Sequence, residues 1–326
     1  MQVINYLWGR VISILFLSMA KEQTALWGID LGGTKIEGII LKSANGTESI
    51  FRDRVPTEAH LGYEHVLNQI TGLVEMMEAT AGYRSEKIGM GTPGTMDPNT
   101  GLFKNSNSIV LNYKPLKTDL ERLLGSEVLT ANDANCFALA ETRLGVVKEQ
   151  FSEAEVVFGV IMGTGAGGGI VVNGKVINGK QGIAGEWGHN FLDETGGPCY
   201  CGKSGCVETI ISGPSLERFY KAQSGQSLKL KEIVKLAAAK SDAVAIATIE
   251  RLHEMFGKAL SVIINILDPD VVVIGGGVGN IPSLYDQGVK ALTKYVFNDR
   301  LDTPIVKPKL GDSAGVFGAA FLTENR

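Results

Sequence analysis

The stretch LWGIDLGGTKIEGIIL, residues 26–41, decides how this chain is interpreted. Two aliphatic runs flank Asp30-Leu31-Gly32-Gly33-Thr34-Lys35, so the local pattern predicts a β-hairpin with a glycine turn. The turn also offers bare backbone amides, a threonine hydroxyl and a lysine, all of which can face a phosphate. The Walker pattern is absent, because the glycine spacing differs and a strand follows. A phosphate turn and a plain turn therefore remain alternatives at this point.

A second stretch of the same kind, VVFGVIMGTGAGGGIVVNGKVINGK, occupies residues 156–180. Gly163, Gly165 and Gly168 fit the dinucleotide pattern G-x-G-x-x-G, but that pattern requires a helix after the glycines. Here Ile170-Val171-Val172 predicts a strand, so the Rossmann interpretation fails. A strand–glycine turn–strand unit in each half predicts two related α/β domains, each offering a phosphate hairpin to a shared cleft. The repetition favours phosphate binding over plain turns.

Length and charge narrow the class of protein. With 326 residues the chain can form two domains with sizeable cores. Its net charge of −4 shows no electrostatic footprint for nucleic acid. The 41 glycines cluster at the hairpins, which fits close backbone approaches better than flexible linkers.

Residues 1–24 are expected to be an extension outside the folded core. Val11–Leu17 is apolar but too short to span a bilayer, and with Arg10 before it the segment imitates a signal peptide. Three clustered cysteines would be prone to oxidation in a secretory compartment, which argues against export. Met19 is a more natural first residue of the protein. We therefore expect a cytoplasmic protein with no membrane partner.

Periodicity predicts the remaining elements. Helices are expected at 61–80, 116–124 and 243–267, and strands at 49–55, 127–130 and 271–274. Residues 87–97 are expected to form a buried strand that runs into a Gly/Pro turn. We expect a smaller α/β domain from residues 25–131 plus 312–326. A larger α/β domain is expected at 132–311.

The most specific motif is GHNFLDETGGPCYCGKSGCVE, residues 188–208. Cys-x-Cys is a strained disulfide pair, and three cysteines leave one over. Three thiolates and one imidazole complete a tetrahedral zinc shell made of His189, Cys199, Cys201 and Cys206. Such a closed shell predicts a structural zinc, whereas the bland alternative is three buried free cysteines beside an unrelated histidine. Cys136 lies far away in sequence and is assigned to the core.

Three carboxylates stand out beside these motifs. Glu186 and Glu208 bracket the cysteines and would suit a polyhydroxy ligand together with the second nitrogen of His189, although either could be a solvated surface charge. Asp133 stands where an apolar strand gives way to a helix, and either it or Asn132 could simply cap that helix. Between two phosphate turns, a carboxylate is also the expected general base for phosphoryl transfer, with Asp30 holding Mg²⁺.

Five motifs together resemble the ROK (repressor, open reading frame, kinase) sugar-kinase family, within the actin and sugar-kinase superfamily. The resemblance runs from about residue 25 to the C-terminus. It rests on Asp30–Lys35, Asn132–Asn135, Gly163–Gly169, Gly185–His189 and Cys199–Glu208. It implies two ribonuclease-H-like (actin-like ATPase) domains around a central cleft.

The resemblance also implies a role for each matching residue. Asp133 would be the general base that deprotonates the 6-hydroxyl of a hexose. The implied sugar ligands are Asn132, Glu186, His189, Glu208, Gly94 and Asn107. The implied ATP contacts are Asp30, Gly32, Gly33, Thr34, Lys35, Gly163, Thr164, Gly165, Gly276 and Gly277. The implied zinc ligands are the four residues already named. The cofactors implied are ATP, Mg²⁺ and a structural zinc ion, and the usual assembly is a homodimer.

Glucose is the substrate that the family resemblance favours. N-acetylglucosamine, N-acetylmannosamine, fructose, mannose and allose stay as alternatives, because no motif reports the shape of the sugar pocket. The family also contains DNA-binding repressors, but about 24 residues with two positive charges cannot form a helix-turn-helix domain. A sugar sensor without catalytic activity is the remaining alternative, and a chaperone or filament-forming relative would lack the cysteine motif.

Overall fold

A computed structural model describes residues 25–324, and the predicted N-terminal extension lies outside the described residues. The chain divides into two compact units. The first unit ends at Ala131 and resumes at Val316, and the second spans Asn132–Gly315.

The first unit is a five-stranded sheet with helices packed against it. Its strands are β1 (Leu26–Leu31), β2 (Lys35–Leu41), β3 (Ser49–Pro56), β4 (Lys87–Thr92) and β7 (Glu127–Asn132), with a small ribbon of β5 (Thr95–Met96) and β6 (Phe103–Lys104). Its helices are α1 (Tyr63–Ala81) and α2 (Leu116–Leu124). The strand order is β3-β2-β1-β4-β7, with β1 antiparallel to β2 and parallel to β4.

The core of the first unit follows from the alternation of its strands and the apolar face of α1. Buried residues include Trp27, Ile29 and Ile36 from the first hairpin, and Ile70 and Leu73 from α1. Helix α1 ends at Gly82, which adopts the left-handed conformation with φ 81°. The helix predicted at 61–80 therefore forms two residues later than expected, after a short 3₁₀ turn at Ala59–Leu61.

The second unit repeats the sheet of the first. Its strands are β8 (Val156–Met162), β9 (Ala166–Val172), β10 (Lys175–Val176), β11 (Val271–Gly275) and β12 (Ile305–Val306), in the order β10-β9-β8-β11-β12. Its helices are α3 (Asp133–Arg143), α4 (Val146–Gln150), α5 (Glu208–Ile211), α6 (Gly213–Ser224), α7 (Leu230–Ala238), α8 (Ala243–Leu267), α9 (Gly276–Gly279) and α10 (Gln287–Thr293). Helix α11 (Ala314–Phe321) begins in this unit and continues in the first.

Both sheets thus place an antiparallel hairpin beside a parallel strand in the same order. Strand β8 is antiparallel to β9 and parallel to β11, as β1 is to β2 and β4. The predicted α/β class with a related strand–turn–strand unit in each half is confirmed. Helix α8 occupies the range predicted for it, capped by the side chain of Asp242 and ended at Asp268. Among residues 25–324, no helix is long and apolar enough to cross a membrane.

Candidate active site

The turn of the first hairpin is closed by the backbone and one threonine. Gly32 N–H donates to the Lys35 carbonyl at 3.0 Å, and the Thr57 hydroxyl donates to the Gly32 carbonyl at 2.7 Å. Thr57 N–H also donates to the Thr34 carbonyl at 3.0 Å. Gly33, Thr34 and Lys35 are all exposed at the tip. The turn is therefore formed and open, as a phosphate turn must be.

The Gly/Pro loop after β4 lies in the same unit. The Thr92 hydroxyl donates to the carbonyls of Gly94 and Ala131, at 2.9 and 3.2 Å. A Cβ on Gly94 would lie 2.6 Å from the Lys104 carbonyl oxygen, so only glycine fits there. Asn107 is exposed, whereas the Asn112 side chain bonds both the N–H and the carbonyl of Ser106. Asn112 thus shapes the loop that presents Asn107.

The turn of the second hairpin is braced by residues from other elements. Gly163 N–H donates to Gly165 O at 2.9 Å, and Gly213 N–H at the start of α6 donates to Gly163 O at 2.8 Å. Ala166 N–H, the first of β9, donates to Glu208 Oε2 at 3.0 Å. A Cβ on Gly165 would lie 2.5 Å from that same oxygen. Glu208, predicted from the cysteine motif, therefore holds the glycine turn directly.

The segment Gly185–His189 packs on β9 through glycines. A Cβ on Gly188 would lie 1.8 Å from the Ala166 carbonyl oxygen, and one on Gly185 would lie 2.4 Å from that of Gly168. Trp187 is buried, and its indole N–H donates to the Gly167 carbonyl at 2.8 Å. The predicted sugar loop therefore packs directly against β9, the strand that follows the second predicted phosphate turn.

Asp133 is the first residue of α3 and follows Asn132, the residue at the N-cap. The side chains of Asn132 and Asp133 each accept the Ala134 N–H, at 2.9 and 2.7 Å, so they cap the helix. Surrounding protein desolvates Asp133 and raises its pKa, which the Ala134 N–H and its own N–H partly offset. Asp133 is nevertheless an exposed residue, so a ligand can reach its carboxyl. Capping therefore does not exclude a role as a base.

Glu186 lies within electrostatic reach of the other site residues of this unit. Desolvation raises its pKa, His189 lowers it, and the charges of Asp133 and Glu208 raise it further. Glu186 is half-buried, like Glu208. The structure thus brings together three carboxylates that the sequence predicted as separate candidates. They are not scattered surface charges.

The predicted metal ligands meet in one cluster. The ligand atoms of His189, Cys199, Cys201 and Cys206 all lie within 4.8 Å of one another. Cys199 Sγ is 3.6 Å from His189 Nδ1, and Cys201 Sγ is 3.7 Å from Cys206 Sγ. Tetrahedral zinc with bonds of ~2.3 Å to sulfur and ~2.0–2.1 Å to nitrogen implies separations of about 3.6–3.8 Å. The cluster therefore fits a tetrahedral ion, whereas Cys136 is buried in the core as predicted.

Tyr200, which lies between two of the cysteines, is not part of any predicted site. Its hydroxyl is 3.0 Å from His189 Nε2, and the two rings meet edge to face with centroids 5.1 Å apart. The ring is 69% exposed. Desolvation, followed by the charges of Glu208 and Glu186, nevertheless raises the pKa of its hydroxyl. The charges of both glutamates therefore act on this hydroxyl, although most of the residue is exposed.

The second unit also holds a cavity of about 860 Å³ beside its glycine turn. Its lining includes Gly163, Thr164, Gly277 and Lys229. The Glu217 carboxylate holds the rim, accepting the Leu230 N–H at 3.0 Å and the Lys229 ammonium at 3.2 Å. The glycines were predicted as ATP contacts, whereas Glu217 and Lys229 were not, because no local motif distinguishes these two residues from surface charges.

Comparison with known proteins gives the family. The ROK family model matches residues 26–326. An N-acetyl-D-glucosamine kinase of Histophilus somni is 37% identical over 311 residues, which are 92% of this chain and 99% of that protein.

Two solved structures are similar over most of the chain. A ROK hexokinase from Thermus thermophilus has a TM-score of 0.81 at 33% identity, covering 92% of this chain and 97% of that one. A ROK glucokinase from Streptomyces griseus, in complex with glucose and AMPPNP, has a TM-score of 0.72 at 28% identity, covering 91% and 98%. With the strand order and the cluster already described, these matches show that the chain belongs to the ROK family.

Proposed function

We propose that this protein is a sugar kinase that transfers the terminal phosphoryl group of ATP to the 6-hydroxyl of N-acetyl-D-glucosamine. The observation that carries a kinase is the contact between Glu208 and Ala166 N–H. It links a carboxylate suited to sugar hydroxyls with a glycine turn suited to phosphates. The choice of sugar follows the curated relatives, which favour the N-acetylhexosamine alternative over the glucose predicted from the sequence.

In this proposal Asp133 is the general base. Its raised pKa makes it a better proton acceptor than an ordinary aspartate, and the carboxylate is open to a ligand. It takes the proton of the 6-hydroxyl as the oxygen attacks the phosphorus. Glu186, Glu208, His189 and Asn132 orient the sugar, with Gly94 and Asn107 as candidates from the first unit.

The two glycine turns hold the phosphates. Gly32, Gly33, Thr34 and Lys35 offer backbone N–H groups, a hydroxyl and one positive charge, and Gly163, Thr164 and Gly165 offer N–H groups and a hydroxyl. Asp30 would hold Mg²⁺, which neutralises phosphate charge when bound. The cavity of about 860 Å³, bounded by Gly277 and the Lys229 rim, is of a size for the adenosine moiety, and Gly276 lies beside it in sequence.

His189, Cys199, Cys201 and Cys206 would hold a structural zinc ion. The separations of their ligand atoms support this proposal, and a Cys₃His shell leaves no open position for water activation. The ion would fix the loop that carries His189 and Glu208. Cys201→Ser should therefore lose zinc and weaken sugar binding. Unchanged sugar affinity after measured zinc loss would contradict this positioning role.

The substrate is tested by ATP-dependent ADP release with Mg²⁺ against a panel of hexoses and N-acetylhexosamines. We expect N-acetyl-D-glucosamine to have the highest kcat/KM. A higher value for glucose would restore the sequence-based choice and overturn the proposed sugar. Measurable sugar binding without turnover across the panel would instead indicate a sensor and contradict the kinase.

The base is tested with Asp133→Asn, which keeps the helix cap because an amide oxygen also accepts the Ala134 N–H. We expect kcat to fall by about 10²- to 10⁴-fold, the usual contribution of a general base, with sugar Kd changed little. Asp193→Asn serves as the control, since Asp193 likewise caps a short helix by accepting a backbone N–H, that of Thr195. Near-normal turnover in Asp133→Asn would exclude Asp133 as the base.

A further inference from the structure

The loop that follows β11 has almost no side chains with which to hold its own shape. Its sequence is Gly275-Gly276-Gly277-Val278-Gly279, and it runs from the last residue of β11 through the short helix α9. Glycine loses more backbone freedom on folding than any other residue, so a segment this rich in glycine needs contacts from elsewhere to be ordered. Gly276 has φ 83°, and a Cβ there would lie 2.3 Å from the Met162 carbonyl oxygen. The surroundings of the loop therefore determine its shape.

One tyrosine hydroxyl connects the two ends of this loop. The Tyr285 O–H donates to the Gly279 carbonyl at 2.8 Å and to the Ile274 carbonyl at 3.2 Å, so a single proton is shared between two acceptors. Ile274 stands just before the first glycine of the loop, and Gly279 is the last one. Burial raises the pKa of this hydroxyl to about 12, so it keeps its proton and remains a donor at neutral pH.

The ring of Tyr285 is held independently of the loop. It stands at the end of the 3₁₀ helix Pro282–Tyr285 and packs against the apolar core of the second unit. The Lys307 ammonium lies 5.0 Å from the centroid of the ring, a distance suited to a cation–π contact. Lys307 directly follows β12, the strand that pairs with β11. Removal of the hydroxyl should therefore affect the loop and leave the ring in place.

The glycine in the middle of the loop faces the cavity of about 860 Å³. Gly277 lines that cavity, and a Cβ on it would meet no other atom within 4 Å. The nearest atom to a Cβ on Gly163 is the Gly277 nitrogen, at 3.9 Å, so the loop adjoins the second glycine turn. Val278 and Asn280, which flank Gly279, line the cavity as well. A shift of the Gly279 carbonyl therefore moves one wall of the cavity.

We propose that Tyr285 is a positioning residue for the nucleotide, because its hydroxyl fixes the loop 275–279 and so keeps Gly277 at the wall of the cavity. The inference rests on the proposed function, in which this cavity takes the adenosine moiety. Tyr285 is not among the residues that line the cavity, so it acts through the loop and not on the ligand. Its contribution belongs to nucleotide affinity and not to sugar affinity, since the proposed sugar ligands lie on other segments.

Tyr285→Phe tests this role, since it keeps the ring and removes the hydroxyl. The Kd for ADP with Mg²⁺, measured by calorimetry, should rise about three- to tenfold, the usual effect of one neutral hydrogen bond. In steady-state kinetics the ATP KM should rise by a similar factor, with kcat and the sugar KM nearly unchanged. An unchanged Kd for ADP would overturn the proposal, and so would an equal rise in both KM values.

Tyr295→Phe is the matched control. The Tyr295 hydroxyl also bonds within the second unit, to Glu254, and neither of these residues lines the cavity. The free energy of unfolding should be measured beside the Kd for ADP, because a purely structural tyrosine changes the first and leaves the second intact in the folded protein. We expect the Kd for ADP to rise in Tyr285→Phe and not in the control. An equal rise in both variants would assign the effect to stability and overturn the positioning role.

Hydrogen exchange followed by mass spectrometry reports on the loop itself and does not depend on turnover. Backbone N–H groups of residues 276–281 should exchange faster in Tyr285→Phe than in the unmodified protein, with no such change in Tyr295→Phe. If exchange in this segment is the same in all three proteins, the hydroxyl does not hold the loop and the proposal fails. An unmodified protein that binds no ADP would overturn the kinase and this role together, whereas ADP binding that is equal in Tyr285→Phe would overturn this role alone.

Discussion

The two glycine hairpins have the same topology but differ in what supports their turns. In the first, one threonine closes the turn, and Gly33, Thr34 and Lys35 are exposed. In the second, the turn is bonded to Glu208 and to the start of α6, and β9 lies against the loop that carries Trp187. The first turn can therefore be changed locally, whereas the second cannot move without moving the predicted sugar ligands.

This difference has a physical origin in where glycine is required. At Gly33 an added Cβ would come no closer than 3.8 Å to another group, the Ser108 hydroxyl. At Gly188 it would lie 1.8 Å from a backbone carbonyl, and at Gly165 it would lie 2.5 Å from Glu208. Glycine in the first turn exposes amides to a ligand, while glycine around the second lets two parts of the site pack together.

The largest expected effect comes from Gly188→Ala. Because the clash is with backbone atoms, β9 or the Glu186–His189 segment must shift, and we expect a loss of about 3 kcal/mol in the free energy of unfolding. Chemical denaturation followed by tryptophan fluorescence measures this, since Trp187 is buried beside the site of change. Sugar binding should be lost with it.

Gly33→Ala is the matched control for that substitution in the other hairpin. Its free energy of unfolding should change by no more than about 0.5 kcal/mol, as for an unstrained surface position. Equal destabilisation of the two variants would remove the distinction between an open turn and a packed one.

Acid pH should act on the group formed by Asp133, Glu186 and Glu208, which belongs to the second unit. The base must be deprotonated to act, so kcat/KM for the sugar falls as pH drops through the pKa of Asp133. That pKa is raised above its ordinary value of 3.8, so the acid limb should lie above this value. The rate should fall about tenfold per pH unit below the limb.

This profile needs a check on the metal cluster, since protonated thiols release metal. Zinc content should be measured at each pH, and the acid limb of kcat/KM should be interpreted only over the pH range in which zinc is retained. An acid limb at or below pH 3.8 would contradict a general base with a raised pKa at this position.

Gly165→Ala should have an intermediate effect, mainly on the KM for the sugar. The added methyl meets Glu208 Oε2, a side-chain oxygen that can move but would lose its bond from Ala166 N–H. We expect the sugar KM to rise about tenfold, as for loss of a hydrogen bond to a charged group, with a smaller change in the ATP KM. A change confined to the ATP KM would mean that Glu208 does not act on the sugar.

Much of the fold could be predicted from the sequence because its signals are local. The hairpin at 26–41 and the apolar face of α8 each identify their element without reference to the rest of the chain. The start of α1 was misplaced by two residues, because Gly62 permits a 3₁₀ turn at 59–61 that apolar periodicity does not report.

The site was predictable where a motif concentrates its residues, as at Cys199 and Cys206. The site was not predictable where a contact joins residues that lie far apart in the sequence. Nothing near Glu217 in sequence indicates that its carboxylate holds Leu230, and nothing near Tyr200 indicates the nitrogen of His189. Glu208 was predicted as a ligand, but its bond to Ala166 depends on packing between β9 and the cysteine loop, which only the folded chain shows.

The last test concerns the hydrogen bond that the Thr57 hydroxyl donates to the Gly32 carbonyl on the first turn. Thr57→Val keeps the shape and removes the hydroxyl, at a cost of about 1 kcal/mol for one hydrogen bond. The backbone bond from residue 57 to Thr34 stays, so the turn should loosen and not unfold. ATP KM should rise about three- to fivefold with sugar KM unchanged, measured by steady-state kinetics with each substrate varied. If the sugar KM rises equally, the first turn is coupled to the sugar ligands as tightly as the second, and the independence of the two hairpins is refuted.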